Sequence, residues 1–251
     1  MPTPILYPLE ESYFTTSYLT YVQANNQWEN LFEWFTKNAL TLAIHNPLRI
    51  LSVGSGTGIL DKRLIPLFQS QVSQIHYVGI DPSQSQCTIF EEHAKALRSK
   101  NININLHAKP FESYKTDQQF DLVLMVHVLY HFPNPEIPIL TSYNLLKLRG
   151  KGVIVMAPPD NEFSLFPCKL PSMREYQPCV NPTVVSILCE KQIPYEKHSI
   201  SAQIDVTECF IRGSELGEQL LNFILHSDTQ KMQISQKREM TDYCFCRGLS
   251  W

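Results

Sequence analysis

The sequence predicts an α/β fold in which one doubly wound, mostly parallel sheet of seven strands is covered by helices on both faces. An apolar run at 50–53 leads into a glycine-rich turn and then into a stretch with helical spacing at 59–68. Further β-rich runs and helical stretches alternate after it, which is typical of a parallel sheet whose strands are connected by helices. The turn holds three of only 9 glycines in the chain, and such a density needs a reason.

The glycine turn has the layout of a nucleotide-binding loop. Gly54, Gly56 and Gly58 lie between the first predicted strand and the first helix that follows it. Glycine adopts positive φ and lets a ligand approach the backbone closely. A strand, a glycine turn and a helix in this order bind nucleotides at the carboxyl edge of parallel sheets. The turn reads GxGxG and lacks the Lys-Ser/Thr pair of a phosphate-binding P-loop.

An acidic residue ends the second predicted strand. The run Ile75–Ile80 is rich in β-forming residues and is followed directly by Asp81. A carboxylate at the tip of strand two, about 20 residues past the glycines, can accept hydrogen bonds from both hydroxyls of a ribose. The alternative is an ordinary glycine turn with a surface aspartate.

The remaining elements follow the same alternation. The predicted strands are 48–53, 75–80, 102–106, 120–126, 153–157, 195–204 and 242–247, the last of them antiparallel. The predicted helices are 58–70, 84–100, 136–148, 182–191 and 213–227.

Two aromatic-rich segments lie outside this alternation. Residues 11–45 combine helical spacing with early aromatics, among them Tyr13, Phe14 and Tyr18, and these form either a lid over a ligand or a helix packed on the sheet. Residues 158–182 hold six of the 17 prolines among further aromatics. Since a long connection after strand five lies at the ligand-binding edge, we expect a substrate-covering insertion rather than a plain surface loop.

Composition limits the function classes. The formal net charge is −3 and there is no run of lysines and arginines, which argues against a nucleic-acid partner. No apolar run approaches the ~20 residues that span a bilayer, and no secretory leader is apparent. The 7 cysteines, scattered and odd in number, suit reduced thiols. We therefore expect a cytoplasmic protein, a monomer that binds neither membranes nor nucleic acid.

Several motifs resemble those of a known enzyme family. They are the run 50–58, Asp81-Pro82-Ser83, Val128-Leu129-Tyr130, and 204–211 with its continuation to Phe223. Together these motifs resemble histamine N-methyltransferases, which are class I S-adenosylmethionine-dependent methyltransferases with a Rossmann-like fold. The first motifs occur widely in class I enzymes, whereas the run from Asp205 to Phe223 is more specific. The resemblance extends from about Tyr13 to Arg247.

The resemblance implies a single methyltransferase domain with S-adenosylmethionine as cofactor. Its parts would be an N-terminal lid at 1–45, a cofactor-binding core at 46–157, a substrate insertion at 158–182 and the rest of the sheet at 183–251. The glycines would lie against the methionine part, Asp81 would hold the ribose, and Phe111 and Glu112 would contact the adenine. The cofactor-binding residues it implies are Gly54, Ser55, Gly56, Gly58, Asp81, Pro82, Gln86, Phe111, Glu112 and Val126.

The resemblance also implies a substrate site. Its residues are Tyr13, Phe14, Thr16, Tyr18, His127, Tyr130, Phe163, Phe166, Phe210 and Thr241. The family's substrate-binding glutamate falls at Thr16, and its asparagine near the last strand falls at Thr241 or Asp242. The loss of the glutamate removes a partner for a cationic or imidazole group, which argues against histamine itself as substrate.

The chemistry makes few demands on side chains. The cofactor's methyl group is already activated, so the protein mainly aligns the acceptor and excludes water. His127 and His131, with pKa values near neutral, are the candidate catalytic bases for an amine that arrives protonated. Both could instead be ordinary residues at a strand end. They are four residues apart, but no second ligand arm is visible, so we expect no metal site.

The sequence thus predicts methyl transfer to a small molecule, with nitrogen favoured as the acceptor atom. One alternative is O-methylation of a small hydroxylated or carboxylated metabolite. Another is a module that binds S-adenosylmethionine without turnover.

Overall fold

The computed structural model describes residues 9–156, 158, 181–225 and 227–232, and these fall into two compact units. The sheet unit comprises residues 28–156 and 181–200 of the described chain, and the helical unit comprises 9–27, 158, 201–225 and 227–232. No helix within these ranges combines the length and the apolar character that crossing a bilayer requires.

The sheet unit contains five parallel strands in the order β3-β2-β1-β4-β5. The strands are β1 Leu48–Val53, β2 Ile75–Asp81, β3 Ile102–Ala108, β4 Phe120–Val126 and β5 Leu146–Val155. Strand β1 lies between β2 and β4, with Ile50 beside both Tyr77 and Leu122. The strand order reverses at β1, and in such sheets ligands bind at the carboxyl edge of this reversal point.

Helices connect the strands and cover the sheet. They are α1 Glu11–Ala24, α2 Gln27–Leu42, α3 Asp61–Gln69, α4 Gln84–Leu97, α5 Glu136–Asn144, α6 Asn181–Glu190 and α7 Glu215–Leu225, with short 3₁₀ turns at Phe111–Ser113, Leu129–His131, Thr207–Phe210 and Thr229–Lys231. Ser83 caps α4, because its hydroxyl accepts a hydrogen bond from the Gln86 N–H. Phe35 of α2 and Phe68 of α3 are both fully buried and meet edge to face.

A buried carboxylate joins three strands at the amino edge of the sheet. Asp121 of β4 has no exposed surface. Its side chain accepts the backbone N–H of Arg49 in β1 at 2.7 Å and both oxygens accept from Lys147 Nζ in β5 at 2.9 Å. Paired in this way, the charge can be buried, and the starts of β1, β4 and β5 are held in place.

Strand β5 begins earlier than the sequence predicts. The helix predicted at 136–148 ends at Asn144, and Leu146 already pairs with Phe120 in the sheet. The pairing register between β4 and β5 then shifts between Phe120 and Leu122. Gly150 lies in this irregular segment, and a Cβ added to it would lie 2.9 Å from the Lys147 carbonyl oxygen. Sheet pairing through an irregular segment thus overrides the helical spacing of the local sequence.

The strand predicted at 195–204 is wrong for the described chain. This stretch has no regular structure apart from one antiparallel bridge between Asn25 and Ile204. Tyr195 and Ile200 remain 44% and 38% exposed, so this stretch is not buried as a strand of the sheet core would be. The strand predicted at 242–247 lies outside the described residues, and seven strands therefore remain a prediction.

In the helical unit, α1 packs against α7. Phe223 of α7 contacts the rings of Phe14, Tyr18 and Tyr21, the last at 4.4 Å between ring centroids. Tyr13 donates a hydrogen bond from its hydroxyl to Glu218 Oε1. The early aromatics of the chain thus stabilise a helix pair.

Candidate functional site

The glycine turn after β1 has a backbone that only glycine adopts easily. Gly54, Gly56 and Gly58 have φ of 68°, 53° and 69°. A Cβ added at Gly54 would lie 2.2 Å from Val128 Cγ2, and one at Gly58 would lie 2.3 Å from Phe90 Cδ2. Because the backbone is left-handed and space is lacking, side chains are excluded at both positions.

Asp81 fixes this turn to the end of β2. Its carboxylate is buried, Oδ2 accepts from the Gly56 N–H at 2.9 Å, and Oδ1 accepts from the Ser83 N–H at 2.9 Å. Each carboxylate oxygen can accept more than one hydrogen bond, so the same group is able to accept ribose hydroxyls as well.

The surroundings of the turn fit a nucleoside-bearing cofactor. The only atom within 4 Å of a Cβ added at Gly56 is Gln86 Oε1, so the turn meets nothing else on that side in the described chain. The hydroxyls of Ser55 and Thr57 are buried and have no hydrogen-bond partner among the described residues. Backbone that a ligand can approach, unpaired hydroxyls and an acid at the tip of β2 form a suitable cradle.

The loop after β3 lies against the same strand end. Lys109 donates its backbone N–H to the Asp81 carbonyl oxygen at 2.9 Å. Two residues later, Phe111 is buried and Glu112 is exposed. The segment that the resemblance assigns to adenine contact, Phe111 and Glu112, therefore begins two residues after Lys109, which is hydrogen-bonded to Asp81. Pro82, the residue after Asp81, is exposed.

A second buried acid lies just past the glycine turn. Asp61, the first residue of α3, accepts a hydrogen bond from the Tyr77 hydroxyl at 2.6 Å, and both side chains are buried. Burial raises the pKa of Asp61, and burial together with Asp61 raises the pKa of Tyr77. Sequence reasoning missed this pair, since an acid inside an apolar helical stretch gives no distinct signal.

His127 follows the last residue of β4, Val126, in a left-handed backbone conformation. Its φ is 52°, and its N–H donates to the Val155 carbonyl oxygen at 3.0 Å. The imidazole is half-buried, and its ring lies edge-on to Trp28 with 5.8 Å between centroids. The ring of Tyr130, 38% exposed, lies 6.5 Å away.

Desolvation changes the acid–base character expected of the two histidines. It lowers the pKa of His127 to about 4 and lowers the pKa of His131 as well. The expectation of a near-neutral pKa is therefore wrong for His127. At neutral pH its imidazole is an uncharged hydrogen-bonding group and a weak base.

The sheet unit brings together the glycine turn, Asp81, Gln86 and Phe111 as one edge, with His127, Tyr130 and His131 after β4. The helical unit contains Tyr13, Phe14, Thr16, Tyr18 and Phe210. Phe163, Phe166 and Thr241 lie outside the described residues. Within the described ranges no group of three potential ligands could hold a metal ion.

Comparisons with known proteins agree with this geometry. Residues 51–151 match a family described as a methyltransferase domain. Histamine N-methyltransferase of Bos taurus is 25% identical over 195 residues, covering 72% of this chain and 67% of that protein. Carnosine N-methyltransferase 2 of Gallus gallus is 24% identical over 191 residues, covering 70% of this chain and 59% of that protein. The chain thus spans about two thirds or less of the length of these relatives.

A solved structure shows the same fold. The putative methyltransferase from Bacillus halodurans has a TM-score of 0.56 and 17% sequence identity, with 84% of each chain covered. The doubly wound class of fold predicted from the sequence is confirmed.

Replacing Gly56 by alanine tests the cradle. A Cβ at φ 53° adds about 1–2 kcal/mol of backbone strain and occupies the space on the Gln86 side of the turn. We expect Gly56→Ala to stay folded and to bind S-adenosylhomocysteine about tenfold or more weakly in calorimetry. Gly213→Ala is the matched control, because Gly213 has φ 80° and nothing within 4 Å. Equal affinities of the two variants would contradict the assignment.

The lowered pKa of His127 predicts a pH-dependent stability. The unfolded chain protonates this histidine near pH 6.5 and the folded chain only near pH 4. Stability is therefore lost as the pH falls from about 6.5 to about 4, by about 1–3 kcal/mol from this residue. Urea unfolding at about pH 7 and about pH 4.5 should show a smaller loss in His127→Gln than in the wild type. An identical loss in both proteins would show that His127 titrates alike in the folded and unfolded states.

Proposed function

Because the chain carries a class I S-adenosylmethionine-dependent methyltransferase domain, we propose that it transfers the methyl group to a nitrogen atom of a small molecule. The observation that carries the proposal is the pairing of the glycine turn with Asp81 at the point where the strand order reverses, next to the end of β4. The names of the bovine and chicken relatives, both N-methyltransferases, support nitrogen as the acceptor atom.

The residues have separate roles in this proposal. Gly54, Gly56 and Gly58 form the wall for the methionine part, and Asp81 accepts hydrogen bonds from the ribose hydroxyls. When bound, S-adenosylmethionine supplies a methyl group on a sulfonium, so that the acceptor's lone pair forms a new N–C bond as the S–C bond breaks to leave a thioether. The protein's part is to align the acceptor and to exclude water.

His127 orients the acceptor rather than acting as a strong base. With a pKa of about 4 its imidazole is neutral, and it can accept a hydrogen bond from an N–H group. Such a bond would fix the direction of the nitrogen lone pair. The proton that the nitrogen loses after transfer then passes to water, since a base this weak holds it poorly.

The low pKa of His127 also bears on the competing function. A phenol or alcohol must lose its proton during attack, and an imidazole with a pKa of about 4 is a poor acceptor for that proton. An amine that arrives neutral has no such need. Nitrogen is therefore favoured over oxygen as the acceptor atom.

The net charge of −3 supports a small-molecule substrate over a nucleic acid. We include in the proposal that the protein acts as a monomer in the cytoplasm.

The experiment is a turnover assay that follows release of S-adenosylhomocysteine over a panel of small amines, guanidines, imidazoles and phenols. On the best acceptor, His127→Ala should lower kcat/KM about tenfold or more while the affinity for S-adenosylhomocysteine stays the same. His76→Ala, on β2 of the same sheet, is the control and should leave both quantities unchanged. An unchanged rate in His127→Ala would remove this residue from the mechanism, and turnover on phenols alone would replace nitrogen by oxygen.

A further inference from the structure

Trp28 of α2 has a buried hydrogen-bond donor for which the described residues provide no acceptor. The side chain is 8% exposed. Its indole Nε1 is shielded from solvent and has no hydrogen-bond partner among the described residues. A buried tryptophan N–H usually finds an acceptor, so an orphaned one needs an explanation.

The donor belongs to a ring that touches the proposed acceptor site. The indole meets the imidazole of His127 edge-on at 5.8 Å between centroids, with an interplanar angle of 78°. No hydrogen bond to the ring nitrogens of His127 comes from residues 9–156 or from the other described ranges. The buried, unpaired donor of Trp28 on α2 thus lies beside the half-buried imidazole of His127, which follows β4.

Ordinary core packing explains only part of this arrangement. The helical spacing of Trp28, Phe32 and Phe35 indicates a buried face, and Leu31 and Phe35 do lie in the core. Packing alone, however, does not require an N–H group, which costs free energy when it is desolvated without a partner. The backbone of His127 also has a left-handed conformation at this contact. Strained backbone of this kind occurs most often at ligand and active sites.

We propose that Trp28 and His127 together hold the methyl acceptor. The indole N–H donates a hydrogen bond to an oxygen or nitrogen atom of the acceptor, and the imidazole accepts one from the N–H group of the nitrogen that is methylated. The acceptor is then a neutral amine, whose N–H nitrogen keeps a free lone pair for the attack, and it carries a second hydrogen-bond acceptor close to that N–H. This inference rests on the proposed function and adds a specificity residue to it.

The charge of the two rings limits the acceptor further. Indole is uncharged, and desolvation lowers the pKa of His127 and keeps it neutral at physiological pH. Of the titratable groups near it, Tyr130 lies 6.5 Å away, and His131 contacts Tyr130 at 4.8 Å. None of these groups supplies a negative charge at neutral pH, so an ammonium ion would find no ionic partner among them.

The test uses pyrazole purely as a binding probe for this pair of hydrogen bonds, because it is neutral and its N–H lies next to a ring nitrogen that accepts. Pyrazole is titrated into the protein saturated with S-adenosylhomocysteine and labelled with ¹⁵N-tryptophan. The chain has 3 tryptophans, so the Trp28 indole signal is assigned from Trp28→Phe, or by elimination from Trp34→Phe and Trp251→Phe. We expect pyrazole to move the Trp28 signal and 1-methylpyrazole, which lacks the N–H, to move it much less.

The affinity for pyrazole gives the second readout. Trp28→Phe keeps an aromatic ring and removes the donor, so it should bind pyrazole about tenfold more weakly. Trp34→Phe, the same change on the same helix, should bind as the wild type does. An unmoved Trp28 signal, or equal affinity in Trp28→Phe, overturns the inference. Failure to bind S-adenosylhomocysteine at the start would instead overturn the proposed function, and this inference with it.

Discussion

The hydrogen bond from the Gly56 N–H to Asp81 Oδ2 is the constraint on which the site depends. It ties the turn after β1 to the tip of β2, while Gly54 and Ser55 both donate their backbone N–H groups to the Ile80 carbonyl oxygen. The turn can follow this path only in a left-handed conformation, which explains why glycine recurs at alternate positions. The other oxygen of Asp81 holds the Ser83 N–H and so positions the start of α4.

The same turn is coupled to the end of β4. Val128 packs so closely on Gly54 that no Cβ fits between them, and Val128 directly follows His127. Any change in the path of this segment would therefore move both the cofactor cradle and the residue proposed to orient the acceptor. Methyl transfer requires donor and acceptor to be aligned in line, and close packing of the two strand ends would favour such alignment.

Local chemistry made much of this site predictable from the sequence. Strands β1 and β4 have the predicted bounds and β2 nearly so, because short apolar runs bounded by glycine and aspartate leave few alternatives. The glycine turn and Asp81 lie together as expected, since neighbouring parallel strands end at one edge. Where long-range pairing decides the outcome, prediction failed: the start of β5 depends on an irregular register with β4, and 195–204 pairs with no strand of the described chain.

Two features of the site lay beyond the sequence for a different reason. The pKa of His127 depends on how much protein surrounds its ring, and Trp28 matters because its indole Nε1 has no hydrogen-bond partner among the described residues. Both are properties of the packed molecule, and residue spacing carries no trace of them. Residue spacing also could not decide whether Tyr13, Phe14 and Tyr18 form a lid or a packed helix. In the helical unit these three residues contact α7.

The most direct test of the account is a calorimetric titration of S-adenosylhomocysteine into the wild type and into Asp81→Ala. We expect binding at about micromolar Kd in the wild type and about 100-fold weaker binding in the variant, because two hydrogen bonds from the ribose hydroxyls to the charged carboxylate are lost. No binding to the wild type, or the same Kd in both proteins, would contradict the claim that the glycine turn and Asp81 form the cofactor site.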